Sequence, residues 1–105
     1  MEETEFEALA KAALERIERS LDGCGAEIDY ELQPGGVLEL EFVDGSKIII
    51  NRHVAAREIW VAARSGGFHF RHADGRWLGT RDGAELFEAL SRLASEQSGE
   101  KVVLS

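Results

Sequence analysis

Carboxylates at a regular interval are the first chemistry this sequence offers. Glu7, Glu15, Glu18 and Asp22, with Lys11 among them, recur at three-to-four spacing, and Glu3 extends the row. On an α-helix that spacing aligns side chains on one face, here the face expected opposite the core. Glu27, Asp29 and Glu31 follow at once. A strand lying beside the helix end would continue the row as one ridge. Carboxylate oxygens are hard ligands, suited to Mg²⁺, Ca²⁺, Mn²⁺ or iron rather than to Cu(I) or tightly held zinc. No loop with dedicated ligand spacing accompanies them, so binding is expected to be weak, exposed and poorly selective.

The plain alternative is a solvated helix face. Two features favour a use. The row is almost wholly acidic, so it forgoes the i,i+4 ion pairs of an ordinary surface helix. It also carries acid to the helix C-terminus at Glu18 and Asp22, where the macrodipole disfavours negative charge.

Other reactive types are sparse. Cys24 sits in a Gly-flanked turn with no basic neighbour close in sequence, the setting of an inert thiol. His53, His69 and His72 have no metal-ligand spacing, and on a strand His69 and His72 point to opposite faces. Trp60, between Ile59 and Val61, alternates away from that β-branched pair. Two readings stay open: a second core tryptophan beside Trp77, or a contact anchor on a wet face near Asn51 and Arg52. Nucleophile elbows, phosphate loops and HExxH are all missing, and nothing on an exposed ridge would raise a carboxyl pKa for acid catalysis. An independent enzyme is not expected.

These groups need a scaffold, and the pattern supplies one. Residues 3–22 read as an amphipathic helix with Phe6, Leu9, Ala13, Leu14, Ile17 and Leu21 as its apolar stripe. Period-two alternation then predicts strands around 28–32, 38–42, 47–51, 58–63, 68–72 and 76–79, separated by turns such as Asp44-Gly45 and Asp74-Gly75. Asp82 followed by Glu85 has capping-box spacing and is expected to open a final helix. Leu86, Leu90, Leu93 and Ala94 form its stripe, and Ser98-Gly99 ends it. Short hairpins imply an antiparallel sheet, and two helices can cover only one face of it. The predicted architecture is an α+β two-layer sandwich of two helices on about six strands, one domain over residues 1–105.

Composition bounds the function. The 105 residues carry a formal charge of −8 and one cysteine, and no apolar run is long enough for a membrane span. The charge is uneven. Residues 1–45 hold 13 acids against three bases, giving −10, and residues 46–105 hold seven against nine, giving +2. Such a front suits a cation or a basic protein surface and argues against phosphate backbones. A single cysteine fits a reducing cytoplasm. A sheet-face nucleic-acid binder, using Trp60 with Lys47, Arg52, Arg57, Arg64 and Arg71, is the distant option.

The block IIINRHVAAREIWVAARSGGFHF, from Ile48 to Phe70, and GRWLGTRDGAEL, from Gly75 to Leu86, resemble the frataxin family in its bacterial CyaY-type branch. With GGVL at Gly35–Leu38 and the acidic first helix, the resemblance covers nearly the whole chain. It implies the same two-helix sandwich and a small iron-binding protein of iron–sulfur cluster assembly. It implies partners too: a cysteine desulfurase and a scaffold protein, met by a cytoplasmic monomer without nucleic acid or membrane. The implied iron ligands are Glu7, Glu15, Glu18, Asp22, Glu27, Asp29 and Glu31. Partner contacts would be Glu18 and Asp22 on the ridge, and Asn51, Arg52, Trp60 and Arg81 on the sheet face. An iron chaperone, store or ferroxidase-type protein is the other reading. Three features depart from the family: His53 stands where Gln is usual, Lys11 interrupts the ridge, and Gly23, Cys24 and Gly25 occupy positions where acids can occur.

Overall fold

A computed structural model describes residues Met1–Ser105. The chain forms α1 (Glu3–Gly23), β1 (Asp29–Gln33), β2 (Val37–Glu41), β3 (Lys47–His53), β4 (Glu58–Ala63), β5 (Gly66–Ala73), β6 (Arg76–Gly79) and α2 (Leu86–Ser98). The strands make one antiparallel sheet in sequence order. Each turn is short, so every strand pairs with its sequence neighbour.

Alternation decides what the sheet buries. Leu38, Leu40, Ile48, Ile50, Ile59, Val61 and Phe70 point toward the helices and are buried with Trp77. From α1 come Phe6, Ala10, Ala13, Leu14, Ile17 and Leu21, and from α2 come Leu86, Phe87, Leu90, Leu93 and Ala94. Leu9 of the expected stripe is only partly buried, and Ala10 takes the deeper position. Helix α1 crosses the sheet: Phe6 at its start meets Trp77 of β6 edge-on at 6.0 Å, and Asp22 at its end lies beside β1. Beyond α2 the last residues run extended, with Val102 and Leu104 buried. The Ser95 and Ser91 hydroxyls accept their amides at 2.8 Å, and Ser20 accepts Ser105 N–H at 2.7 Å, so the tail is held against both helices.

Strands β1, β2, β3 and β5 and the end of α1 shift by one or two residues from expectation, and the start of α2 shifts further. Asp82 does not open α2. Its Oδ1 accepts Ala84 N–H at 3.0 Å, while Glu85 is the true N-cap, accepting from Phe87 and Glu88 at 2.9 and 3.1 Å. Gly83 lies between them at φ 73°, a left-handed conformation that no helix can contain. The helix therefore starts three residues later than capping-box spacing implies.

Candidate functional site

Strand β1 does lie beside the end of α1. Tyr30 Oη donates to Asp22 Oδ1 at 2.6 Å, tying the ridge's helical end to the sheet. That bond, then desolvation, then the charges of Asp22 and Glu18, raise the Tyr30 pKa above its ordinary value. Glu15, Glu18 and Lys11 line a cleft with Leu32 of β1 and Arg52 of β3. Glu7 faces Arg52 as well, at 3.8 Å.

The row therefore sits on the flank of α1 that looks toward β1, not opposite the core as expected. Helix geometry gives the reason. At 3.6 residues per turn, positions 7, 11, 15, 18 and 22 centre roughly 100° round from the buried stripe. That angle makes them neighbours of the sheet edge.

The second half of the ridge turns a corner. Tyr30 and Leu32 pair with buried Leu40 and Leu38, so they share the helix side. Asp29 and Glu31 alternate to the uncovered side. There Asp29 stands directly across from Glu41, and Glu31 from Glu39. Like charges in such positions repel, and only Lys47, 3.4 Å from Glu39, offsets them. Glu27 lines a cleft with Asp29 and Glu41 at the end of this patch. The acidic surface thus wraps round the β1 edge: Glu15, Glu18 and Asp22 on one side, Asp29, Glu31, Glu39 and Glu41 on the other. Glu39 and Glu41 were missed because they join the ridge only through the β1–β2 register. Nowhere do three or more His, Cys, Asp or Glu side chains converge as a ready-made metal site.

Cys24 caps α1, its amide donating to Leu21 O at 3.4 Å, and its side chain is partly buried against the core. It is a small filler at a helix end.

Trp60 settles between its two readings. It lies on the uncovered face opposite Asn51 and is half-buried there by two imidazoles. His53 stacks on one side of the indole at 3.8 Å between centroids and 7° between planes, and His69 on the other at 4.4 Å and 8°. His72 instead meets core Trp77 edge-on at 5.1 Å, as alternation from His69 requires.

Beneath this column lies a residue that sequence reasoning passed over. Glu58 is a buried carboxylate, its side chain 7% exposed, on the face that no helix covers. Its Oε1 accepts Trp60 Nε1–H at 2.8 Å, its Oε2 accepts an Arg71 N–H at 2.6 Å, and His69 Nδ1 is 3.6 Å away. The Trp60 bond, together with the bond and charge of Arg71, holds the Glu58 pKa below its ordinary value despite burial. The available signal was Glu at i−2 from Trp in a strand, which places both on one face.

The expected sheet-face contacts do not form one patch. Asn51 and Trp60 face together. Arg52 shares the side of Ile48 and Ile50, donates to Gly35 O at 3.3 Å and packs so closely over Gly36 that a Cβ there would lie 2.5 Å from its Nε. Arg81 sits beyond β6 and donates to Gly67 O at 2.7 Å, closing the outer edge of β5. Nor do the bases of the nucleic-acid option form a stripe. Arg52 faces Glu7, Arg64 Asp44, Arg71 Glu58 and Lys47 Glu39, while Arg57 donates to Val54 O and Met1 O.

Known proteins share this fold over nearly the whole chain. The family model for the frataxin-like domain matches residues 1–100. The iron-sulfur cluster assembly protein CyaY of Dechloromonas aromatica is 62% identical over 104 residues, 99% of each chain. That of Ralstonia nicotianae is 55% identical, covering 97% of this chain and 93% of its own. Among solved structures, frataxin from Psychromonas ingrahamii superposes with a TM-score of 0.92 at 35% identity, covering 100% of this chain and 99% of that one. Trimeric yeast frataxin, solved complexed with ferrous iron, gives 0.68 at 25% identity, covering 95% of this chain and 88% of its own. A matching domain model, curated relatives aligned over nearly their full length and a shared sandwich agree: the chain belongs to the frataxin family, in its CyaY branch.

Proposed function

We propose that this chain binds iron on its acidic ridge and serves iron–sulfur cluster assembly by docking that ridge on a cysteine desulfurase. The observation that carries the reading is the wrapped carboxylate surface, in which Asp22 and Tyr30 join α1 to β1 and the β1–β2 pairing adds like charges. Acids held against one another in this way cost stability, and a cation or a basic partner surface relieves that cost. The relatives named as cluster assembly proteins support the pathway, and the ferrous complex of yeast frataxin supports iron as the cargo. Because the carboxylates are spread along an edge rather than gathered round a point, iron would bind weakly and share its ligands with water. That spread favours an adaptor over a store or a ferroxidase, both of which need converging ligands.

Docking would be driven by charge complementarity, so affinity should fall as salt rises. Glu18→Lys with Asp22→Lys should weaken desulfurase binding by well over tenfold, measured by titration calorimetry or interferometry. An unchanged affinity would remove these residues from the interface. Asn51 and Trp60 offer a second contact on the sheet face, suited to the scaffold protein.

A further inference from the structure

We propose that Glu58 is a positioning residue that fixes Trp60 within the His53–Trp60–His69 column and so makes a rigid contact platform of the sheet face. This rests on the reading of that face as a docking surface.

The placement of Glu58 is otherwise costly. An apolar side chain would fill the position without desolvating a charge. The carboxylate instead meets the indole N–H, a guanidinium and an imidazole, and leaves no buried side-chain polar atom without a partner. What it adds is direction: it fixes which way the Trp60 indole points. The two imidazoles then cover both ring faces. His53 is itself held, because its Nδ1 accepts Ala56 N–H at 3.3 Å. Trp60 is still only half-buried, so part of it is left for a partner. An anchor ordered before docking loses less rotamer freedom on binding, worth roughly threefold to tenfold in affinity for one large side chain.

The test is NMR on the isolated chain. In the wild type, the Trp60 indole N–H should exchange with water more than tenfold slower than free indole, and the ring protons of His53 and His69 should be displaced upfield by the indole ring current. In Glu58→Leu, which keeps the volume but removes the acceptor, both signatures should be lost while thermal unfolding stays cooperative. Glu58→Gln, whose amide oxygen can accept the same N–H, should retain them. Full retention in Glu58→Leu overturns the proposal. So does an unprotected indole N–H in the wild type, a measurement that needs no variant to fold.

The docking arm uses the desulfurase and the scaffold protein. Trp60→Ala should weaken binding of the scaffold protein. Glu58→Leu should weaken the same partner by about threefold to tenfold and add nothing to Trp60→Ala in the double variant. Weakening of the desulfurase alone overturns the scaffold as occupant of this face. Loss of binding in Trp60→Ala with none in Glu58→Leu overturns the positioning role. Unchanged binding of both partners to Trp60→Ala overturns the docking reading of the face, whatever the NMR shows.

Discussion

At Glu58 and at Tyr30, a single hydrogen bond is the main cause of a shifted pKa. The Glu58 carboxyl is held below its ordinary value near 4.5, first by the Trp60 N–H and then by Arg71. A carboxylate with a depressed folded pKa contributes stability that is present above the unfolded value and is lost as pH falls through the folded one. Wild-type stability in urea should therefore drop between pH 5 and pH 3 more steeply than that of Glu58→Gln, and parallel slopes would contradict this. Tyr30 shows the opposite sign. Its hydroxyl is raised by donation to Asp22, so its contribution is present below the ordinary tyrosine value of 10.0 and fades above it. Tyr30→Phe removes the link between helix and strand and leaves the carboxylates in place. It should loosen the ridge without changing its charge, an effect visible as faster amide exchange in β1.

At the scale of elements, the helix boundary and the core make separate claims. Glu85 satisfies two amides at the start of α2, and Glu85→Ala should cost about 1 kcal/mol in urea unfolding. Asp82→Ala should cost clearly less, because that carboxylate serves only the preceding turn. Leu90→Ala, deep between α2 and the sheet, should cost roughly 2–5 kcal/mol. These elements were largely legible in the sequence, because apolar alternation and Gly-marked turns are local signals. Strands β4 and β6 begin and end where their patterns do. The error at Asp82 came from a spacing rule applied across a glycine that cannot be helical. Arg52 was misplaced although alternation with Ile48 and Ile50 already put it on the helix side. The ridge's turn round β1, the membership of Glu39 and Glu41 and the imidazole column depend on strand register, which no local pattern specifies. Gln97 was missed for a related reason. It is a buried amide that bridges from α2 to Arg64 N–H at 3.0 Å and Lys47 O at 3.2 Å, and these partners lie far away in sequence.

At the scale of the whole molecule, the −8 net charge is a polarity rather than a quantity. Most bases in the second half of the chain are committed to internal partners, while the acids of the first half gather along one edge and repel one another. Cations that bind there should relieve the repulsion and raise Tm, by mass action on the folded state. Millimolar Mg²⁺ or micromolar Fe²⁺ should do so in the wild type, and much less in the Glu18→Lys, Asp22→Lys variant. The most direct measurement of the central claim is an NMR titration of the ¹⁵N-labelled protein with Fe²⁺ and then with the desulfurase, mapping both footprints on one spectrum. Iron and desulfurase should perturb overlapping resonances of α1 and β1, centred on Glu18, Asp22, Asp29 and Glu31. Footprints that fall elsewhere, or that share no residues, would contradict a single ridge serving both roles.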